Sequence, residues 1–112
     1  MAQDFERHAE RNVGTAAVDI PNGADFTTND ALVGIHIANV LPSASITIDV
    51  YIANGGNNTY LVKGAPIPQG SALQLLDGGA KVVVQSGDRL YVKSDTASSA
   101  DVWVSVVAAI SS

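Results

Sequence analysis

The stretch SITIDVYIA, from Ser45 to Ala53, decides the fold class because its apolar and polar residues alternate without interruption. Its aliphatic residues occupy every second position: Ile46, Ile48, Val50 and Ile52. A period of two residues is typical of a β-strand that buries one face and leaves the other in solvent. The stretch therefore predicts a strand that contributes a row of branched side chains to a hydrophobic core.

Similar runs recur on both sides of this strand, at a spacing of roughly ten residues, with turn residues between most of them. The other candidate strands are VGTAAVDI (13–20), VGIHIAN (33–39), TYLVK (59–63), ALQLL (72–76), KVVV (81–84), RLYVKSD (89–95) and DVWVSVVAAI (101–110). We therefore predict an all-β protein: a single small β-sandwich or jelly-roll of about eight antiparallel strands over residues 13–112.

Two local patterns refine this prediction. Pro66 and Pro68 cannot donate a backbone hydrogen bond, so the segment around them belongs to an edge strand or a crossing loop. In QSGD (85–88), Gly87 supplies backbone freedom and Asp88 can accept hydrogen bonds from neighbouring amides. This segment is therefore interpreted as a tight turn between strands and not as a reactive loop.

Residues 1–12, MAQDFERHAERN, differ from the rest and are assigned to an N-terminal arm. Like charges recur four residues apart, at Glu6 and Glu10 and again at Arg7 and Arg11, so an isolated helix would be unfavourable. We expect the arm to be ordered by a neighbour; a frayed terminus is the alternative. The interface residues predicted here are Phe5, Arg7, His8 and Arg11.

The last candidate strand is apolar on both faces. Trp103 and Val107 lie on one face, and Val102, Val104 and Val106 lie on the other. A strand with two apolar faces is buried on both sides, and in a small sandwich another subunit can cover the second face. Trp103 and Val107 are therefore predicted to lie at an interface, with a second core as the alternative for Trp103.

The composition excludes several partners. The net charge is −5 with only six basic residues, so nucleic-acid binding is not expected. The chain has no cysteine, which excludes disulfides and thiolate metal sites. No apolar run approaches the roughly 20 residues of a membrane span, and the charged N-terminus does not resemble a secretory signal. We expect no membrane partner and synthesis in a cytoplasm.

Catalysis is not expected either. The histidines, His8 and His36, have no nucleophile placed near them by the sequence, and the pattern G-x-S-x-G is absent. His36 lies between Ile35 and Ile37 and should point away from them. We predict no enzyme activity, no catalytic residue and no cofactor.

Two loop segments contain residues of the types that bind metal ions or sugars. Oxygen ligands suited to calcium occur in the segment 22–30: Asn22, Asp25, Asn29 and Asp30. Their spacing does not match an EF-hand and such residues are common in loops, so no metal site is predicted. The segment ANGGNNT (53–59) contains the sequon Asn57-Asn58-Thr59. In a glycan-binding alternative, this loop and the loop PNGADFTTND (21–30) contact the sugar, with Tyr51, Tyr60 or Trp103 as stacking rings.

The order of motifs from Ile67 to Ile110 resembles small virion structural proteins of tailed bacteriophages, notably marine and cyanobacterial ones. The shared pattern is an Ile-Pro-x-Gly turn, a Leu-rich strand, a Gly-x-Lys-Val-Val strand, a Gly-Asp turn and an Asp-Val-x-x-Ser strand. Here it comprises 67–70, 73–76, 79–84, 87–88 and 101–105. The segment GIHIANVLPSASITIDVYI (34–52) is similar to a further pair of their strands.

The resemblance implies a small β-sandwich that acts by assembly and has no chemistry of its own. It leads us to expect a capsid decoration or cement protein in a homotrimer, in contact with the major capsid protein. The virion would be its location and the host bacterial cytoplasm its place of synthesis. A neck, tail or tail-fibre component with a glycan-binding role is the alternative.

Overall fold

A computed structural model describes residues 4–20, 26, 29–76 and 82–108 of the chain. These residues form nine β-strands and no helix. The strands are Asp4–Val13 (β1), Val18–Ile20 (β2), Asp30–Asn39 (β3), Ile46–Asn54 (β4), Asn57–Ile67 (β5), Ala72–Leu76 (β6), Val82–Val84 (β7), Arg89–Ser94 (β8) and Ala100–Ala108 (β9).

The strands pair antiparallel in two sheets. The five-stranded sheet has the order β1-β9-β3-β6, and β7 also pairs with β3. The four-stranded sheet has the order β2-β8-β4-β5. The prediction of an all-β sandwich is confirmed, and the described strands exceed the expected number by one because β1 joins the five-stranded sheet.

The core lies between the two sheets and follows the alternation that the sequence shows. On β4, Ile46, Ile48 and Val50 are buried, and on β9 the inward residues are Val102, Val104 and Val106. Further buried side chains come from the neighbouring strands and one loop: Ile20, Phe26, Leu32, Ile35, Ile37, Ile67, Val84, Leu90 and Val92. Aliphatic residues from both sheets therefore pack into one continuous core.

The segment assigned to the N-terminal arm is extended in the structure. Residues 4–13 form β1, the edge strand of the five-stranded sheet, and Arg7 pairs with Ser105 while Ala9 pairs with Trp103. The open edge of β9 supplies the hydrogen-bond partners that order this segment. Glu6 and Glu10 lie opposite inward residues of β9, and charged side chains on an edge strand discourage pairing with a further strand.

Several local predictions have a clear outcome. Pro66 lies in β5, which is an edge strand, as expected. Gly87 has a φ of 93°, and Asp88 Oδ2 accepts a hydrogen bond from Gln85 N at 2.9 Å, which confirms the turn. The candidate strand 13–20 is shorter in the structure: Val13 ends β1 and pairs with Ala100, and only Val18–Ile20 forms β2. Gly14 lies too close to the backbone of Ala97 and Ser98 for a side chain to fit easily.

Candidate interaction surfaces

The outer face of the five-stranded sheet carries a patch of exposed apolar residues, which we call the Trp103 face. Outward residues on four of its strands define it: Arg7, Ala9, Val33, His36, Val83, Trp103, Ser105 and Val107. Trp103 is 48% exposed, Val83 55% and Val33 39%. Large apolar side chains in solvent at the centre of a sheet mark a candidate contact surface.

Strand β9 places Trp103 in the middle of this face. Val102 and Val104, on either side of it in the sequence, are buried, so the two apolar faces predicted for this strand are present. Directly opposite Trp103 lie Ala9 on β1 and His36 on β3. Because cross-strand neighbours share a face, the indole stands between a small residue and a histidine.

The indole also contacts a cation. The Arg7 guanidinium carbon lies 4.9 Å from the centre of the Trp103 ring, within the range of a cation–π interaction. Two shallow depressions flank the ring, with volumes of about 300 Å³ and about 360 Å³. The first is lined partly by His36, Ala38 and Asp101, and the second partly by Val33 and Ser105. Trp103 therefore forms a ridge between two hollows.

Most of the predicted interface residues lie on or beside this face. Arg7 contacts Trp103, Arg11 lines one of the two hollows, and Val107 lies on the same strand face as Trp103. Phe5 is described through its backbone, which pairs with Val107. His8 differs, because it lies opposite the buried Val104 and its Nε2 is 4.0 Å from Glu6 Oε1.

His36 is on the Trp103 face, as the alternation predicts. It is exposed while Ile35 and Ile37 are fully buried. Its Nδ1 shares a hydrogen bond of 3.0 Å with Gln74 Oε1. The His36 ring is therefore held by a residue of the neighbouring strand β6.

The outer face of the four-stranded sheet carries a row of three tyrosines, Tyr60, Tyr51 and Tyr91. We call this row, together with the polar residues beside it, the Tyr face. Tyr51 pairs with Tyr60 on β5 and with Tyr91 on β8. The ring centres are 5.0 Å apart for Tyr51 and Tyr60, and 5.2 Å apart for Tyr51 and Tyr91. Burial is the main factor that raises the pKa of Tyr51 above its usual value. The neighbouring Tyr60, Tyr91 and Asp49 raise it further.

Sequence reasoning singled out Tyr51 and Tyr60 but missed Tyr91. The alternation of Leu90, Tyr91 and Val92 was a signal that the Tyr91 side chain points outward. The pairing of Tyr91 with Tyr51, however, depends on the register between β4 and β8, which the sequence does not specify.

The loops considered for metal and sugar binding are only partly described. Asn22 and Asp25 lie outside the described residues, while Asn29 is half-buried and Asp30 is buried. Within the described ranges, no group of three or more His, Asp or Glu side chains is placed to hold a metal ion. The sequon lies at the exposed tip of the β4–β5 hairpin, where Gly55 and Gly56 have positive φ.

No helix in the described part of the chain is long and apolar enough to cross a membrane. Comparison of the chain with protein-family models, curated proteins and solved structures finds no match to any of them.

Proposed function

We propose that the protein is a non-enzymatic structural subunit of a bacteriophage virion, which assembles through its Trp103 face and decorates or cements the capsid. The observation that carries the proposal is the exposed apolar surface around Trp103 in the centre of a sheet. The resemblance of the motifs between Ile67 and Ile110 supplies the virion context. Synthesis in the host cytoplasm and incorporation into the particle follow from that context.

The Trp103 face has the features of an assembly surface. Tryptophan is enriched among the residues that dominate binding energy, especially when neighbours exclude water around it. Val33 and Val83 extend the apolar area across β3 and β7. A partner that buries these side chains removes apolar surface from water. Each Å² of buried apolar surface stabilises the contact by about 25 cal/mol.

The partner we assign to this face is a second copy of the chain. The hollows on either side of Trp103 have different linings. If Trp103 of one copy fits into a hollow of the next copy, the contact joins two different parts of the Trp103 face. Heterologous contacts form a closed ring when the rotation between neighbours closes and an open filament when it does not, and a homotrimer is the smallest such ring.

Contact with the major capsid protein would then involve surfaces that remain free in the ring. Decoration requires both contacts, because the subunits must hold one another and the lattice beneath them. Arg7, which contacts Trp103, lies on the edge strand β1, so this strand is available to either contact.

Gold-labelled antibody against the protein tests the location on particles of the encoding virus. Label spread over the head supports decoration. Label confined to the neck or tail keeps the structural class but replaces decoration with a connector, tail or glycan-recognition role. Absence of label from both intact and disrupted particles contradicts the proposal.

Reconstitution tests the face itself. Particles that lack the protein are incubated with wild-type protein, with Trp103→Ser or with the matched control Tyr60→Ser on the opposite sheet. We expect wild type and Tyr60→Ser to be incorporated and Trp103→Ser to be lost from the particles. Equal incorporation of all three variants would contradict assembly through the Trp103 face.

A further inference from the structure

The Tyr face has a ridge of rings that runs across the strands. Tyr60, Tyr51 and Tyr91 lie in one cross-strand row, and Asp19 follows on β2 opposite Tyr91. The planes of Tyr51 and Tyr91 differ by 18°, so these rings are stacked. Because Tyr51 lies between two rings that contact it, the row has a fixed arrangement.

A polar hollow adjoins this ridge. Its volume is about 320 Å³ and its lining is Thr15, Thr47, Asp49, Lys93, Ser94 and Asp95. Asp49 pairs with Lys93 across β4 and β8, and each lies two residues from a tyrosine of the row. Side chains two residues apart on a strand share a face, so the hollow and the ridge form one continuous surface.

The carboxylates of the hollow are held by the backbone. Asp49 Oδ1 accepts a hydrogen bond from Gly64 N at 2.7 Å, and Asp95 Oδ1 accepts one from Thr47 N at 3.1 Å. The amide of Thr47 lowers the pKa of Asp95 below its usual value, so this group is ionised at neutral pH. Positioned acceptors of this kind can orient a ligand without a large loss of side-chain entropy.

Among the described residues of the Tyr face, three cations stand beside three carboxylates, although the whole chain carries a net charge of −5. Its cations are Lys63, Lys93 and Arg89, and its carboxylates are Asp19, Asp49 and Asp95. Arg89 Nη1 lies 3.0 Å from Asp19 Oδ2, and Lys63 Nζ lies 5.0 Å from the centre of the Tyr60 ring. A face without net charge does not favour a polyanion, and its fixed acceptors and ammonium groups do not suit an apolar partner.

The geometry points to a binding site for a neutral saccharide, with one sugar ring in the hollow beside Asp49 and Lys93 and the adjacent units along the tyrosine ridge. Hydroxyl groups of the sugar would donate to the carboxylates and accept from Lys93. Its apolar C–H groups would pack against the exposed surface of the tyrosine row, which is largest at Tyr60. The volume is at the lower end of the range for ligand sites, which suits one ring with the chain continuing outside.

This site is independent of the proposed assembly, since it lies on the other sheet. It also differs from the loop tips considered from the sequence, because the residues that form it belong mainly to strands β4 and β8 and to the loops at their ends. The β4–β5 hairpin tip, with the Asn57–Thr59 sequon, lies on the other side of the tyrosine row from the hollow.

The full chain is probed first on an array of immobilised neutral and acidic oligosaccharides. The best neutral oligosaccharide is then titrated while amide chemical shifts are recorded. We expect shifts to concentrate at Thr47, Asp49, Tyr51, Tyr91 and Lys93. Binding of no saccharide, binding of acidic saccharides alone, or shifts centred on the hairpin tip or on Trp103 would overturn the site.

Variants give the matched comparison. Asp49→Asn keeps an acceptor for Gly64 N but removes the charge, and we expect Kd to rise about 10-fold or more. Asp101→Asn is the control, because Asp101 Oδ1 accepts a hydrogen bond from Asn12 N at 3.0 Å on the opposite sheet. Equal affinities of the two variants would overturn the role of Asp49. Trp103→Ser should bind the saccharide like wild type, so failure of assembly and failure of sugar binding are separable.

Discussion

The two outer faces of the sandwich both expose an aromatic side chain, yet they use it differently. Tyr60 is 42% exposed and Trp103 is 48% exposed. Tyr60 belongs to a row in which the rings contact one another, while Trp103 stands between hollows and contacts the Arg7 guanidinium. Similar exposure therefore describes a ring packed within a row of rings on one side and a ring that stands between two hollows on the other, and we propose a partner contact only for the second.

The core between the faces gives the largest expected effect, because both faces rest on it. Ile48 is fully buried in β4, and Ile48→Ala should lower the free energy of unfolding by about 2–5 kcal/mol through lost burial and a cavity. Urea unfolding followed by circular dichroism measures this. Val83→Ala on the Trp103 face is the control and should change stability by less than about 0.5 kcal/mol. Similar losses for the two variants would contradict the assigned core.

Removal of the indole should affect association and leave folding almost unchanged. Trp103→Ser should weaken self-association by about 30-fold, because a central tryptophan commonly contributes about 2 kcal/mol or more. Sedimentation equilibrium measures the change in the dissociation constant. Tyr60→Ser on the Tyr face should associate like wild type. Wild-type protein that stays monomeric, or a Trp103→Ser variant that associates normally, would refute the division between the faces.

Removal of a ring from the Tyr face should have the opposite effect: it should lower the folding stability and leave self-association unchanged. Tyr91→Leu eliminates the stacked contact with Tyr51 and should cost about 1 kcal/mol of folding stability, with self-association unchanged. Urea unfolding and sedimentation give the two readouts. Tyr91→Phe keeps the ring and should remain close to wild type in both. A loss of association in Tyr91→Leu would mean that the Tyr face also contacts a partner copy.

The smallest expected effect concerns the charge of the polar hollow. The pKa of Asp95 is lowered in the folded state, chiefly by the Thr47 amide. Its contribution to stability is therefore present above the unfolded pKa of about 3.9 and is lost as the pH falls through the folded pKa. Because Asp95 is exposed, we expect less than about 0.5 kcal/mol.

Urea unfolding from about pH 6 down to about pH 2 measures this contribution. Asp95→Asn keeps an acceptor for the Thr47 amide, and it should flatten the loss of stability below about pH 4. An unchanged pH profile in this variant would show that Asp95 is not held as a charged group in the hollow.

The sequence predicted which residues point inward because alternation reports the face of a strand directly. Ile46, Ile48 and Val50 are buried as expected, and Trp103 points away from the core. Pro66 correctly indicated an edge strand, since proline has no backbone N–H to donate to a neighbouring strand. Each of these features follows from a single segment of the sequence and does not require knowledge of which strands pair.

Features that depend on pairs of distant segments were not predicted. The tyrosine row requires the register that sets Tyr51 opposite Tyr91, and register is fixed by packing and turns. Strand β1 was missed because its inward positions, such as Glu6 and Glu10, are charged, which conceals the usual alternation. Its pairing with β9 then brought Arg7 over Trp103, a contact between residues at opposite ends of the chain.

The chain contains a single tryptophan, so fluorescence reports on the centre of the Trp103 face directly. We would measure indole emission and its quenching by iodide, from dilute solution to the assembled state. Burial of Trp103 by a partner predicts an emission shift to shorter wavelength and reduced quenching, with Tyr60→Ser behaving like wild type. Emission and quenching that stay unchanged while sedimentation shows assembled protein would contradict assembly through this face.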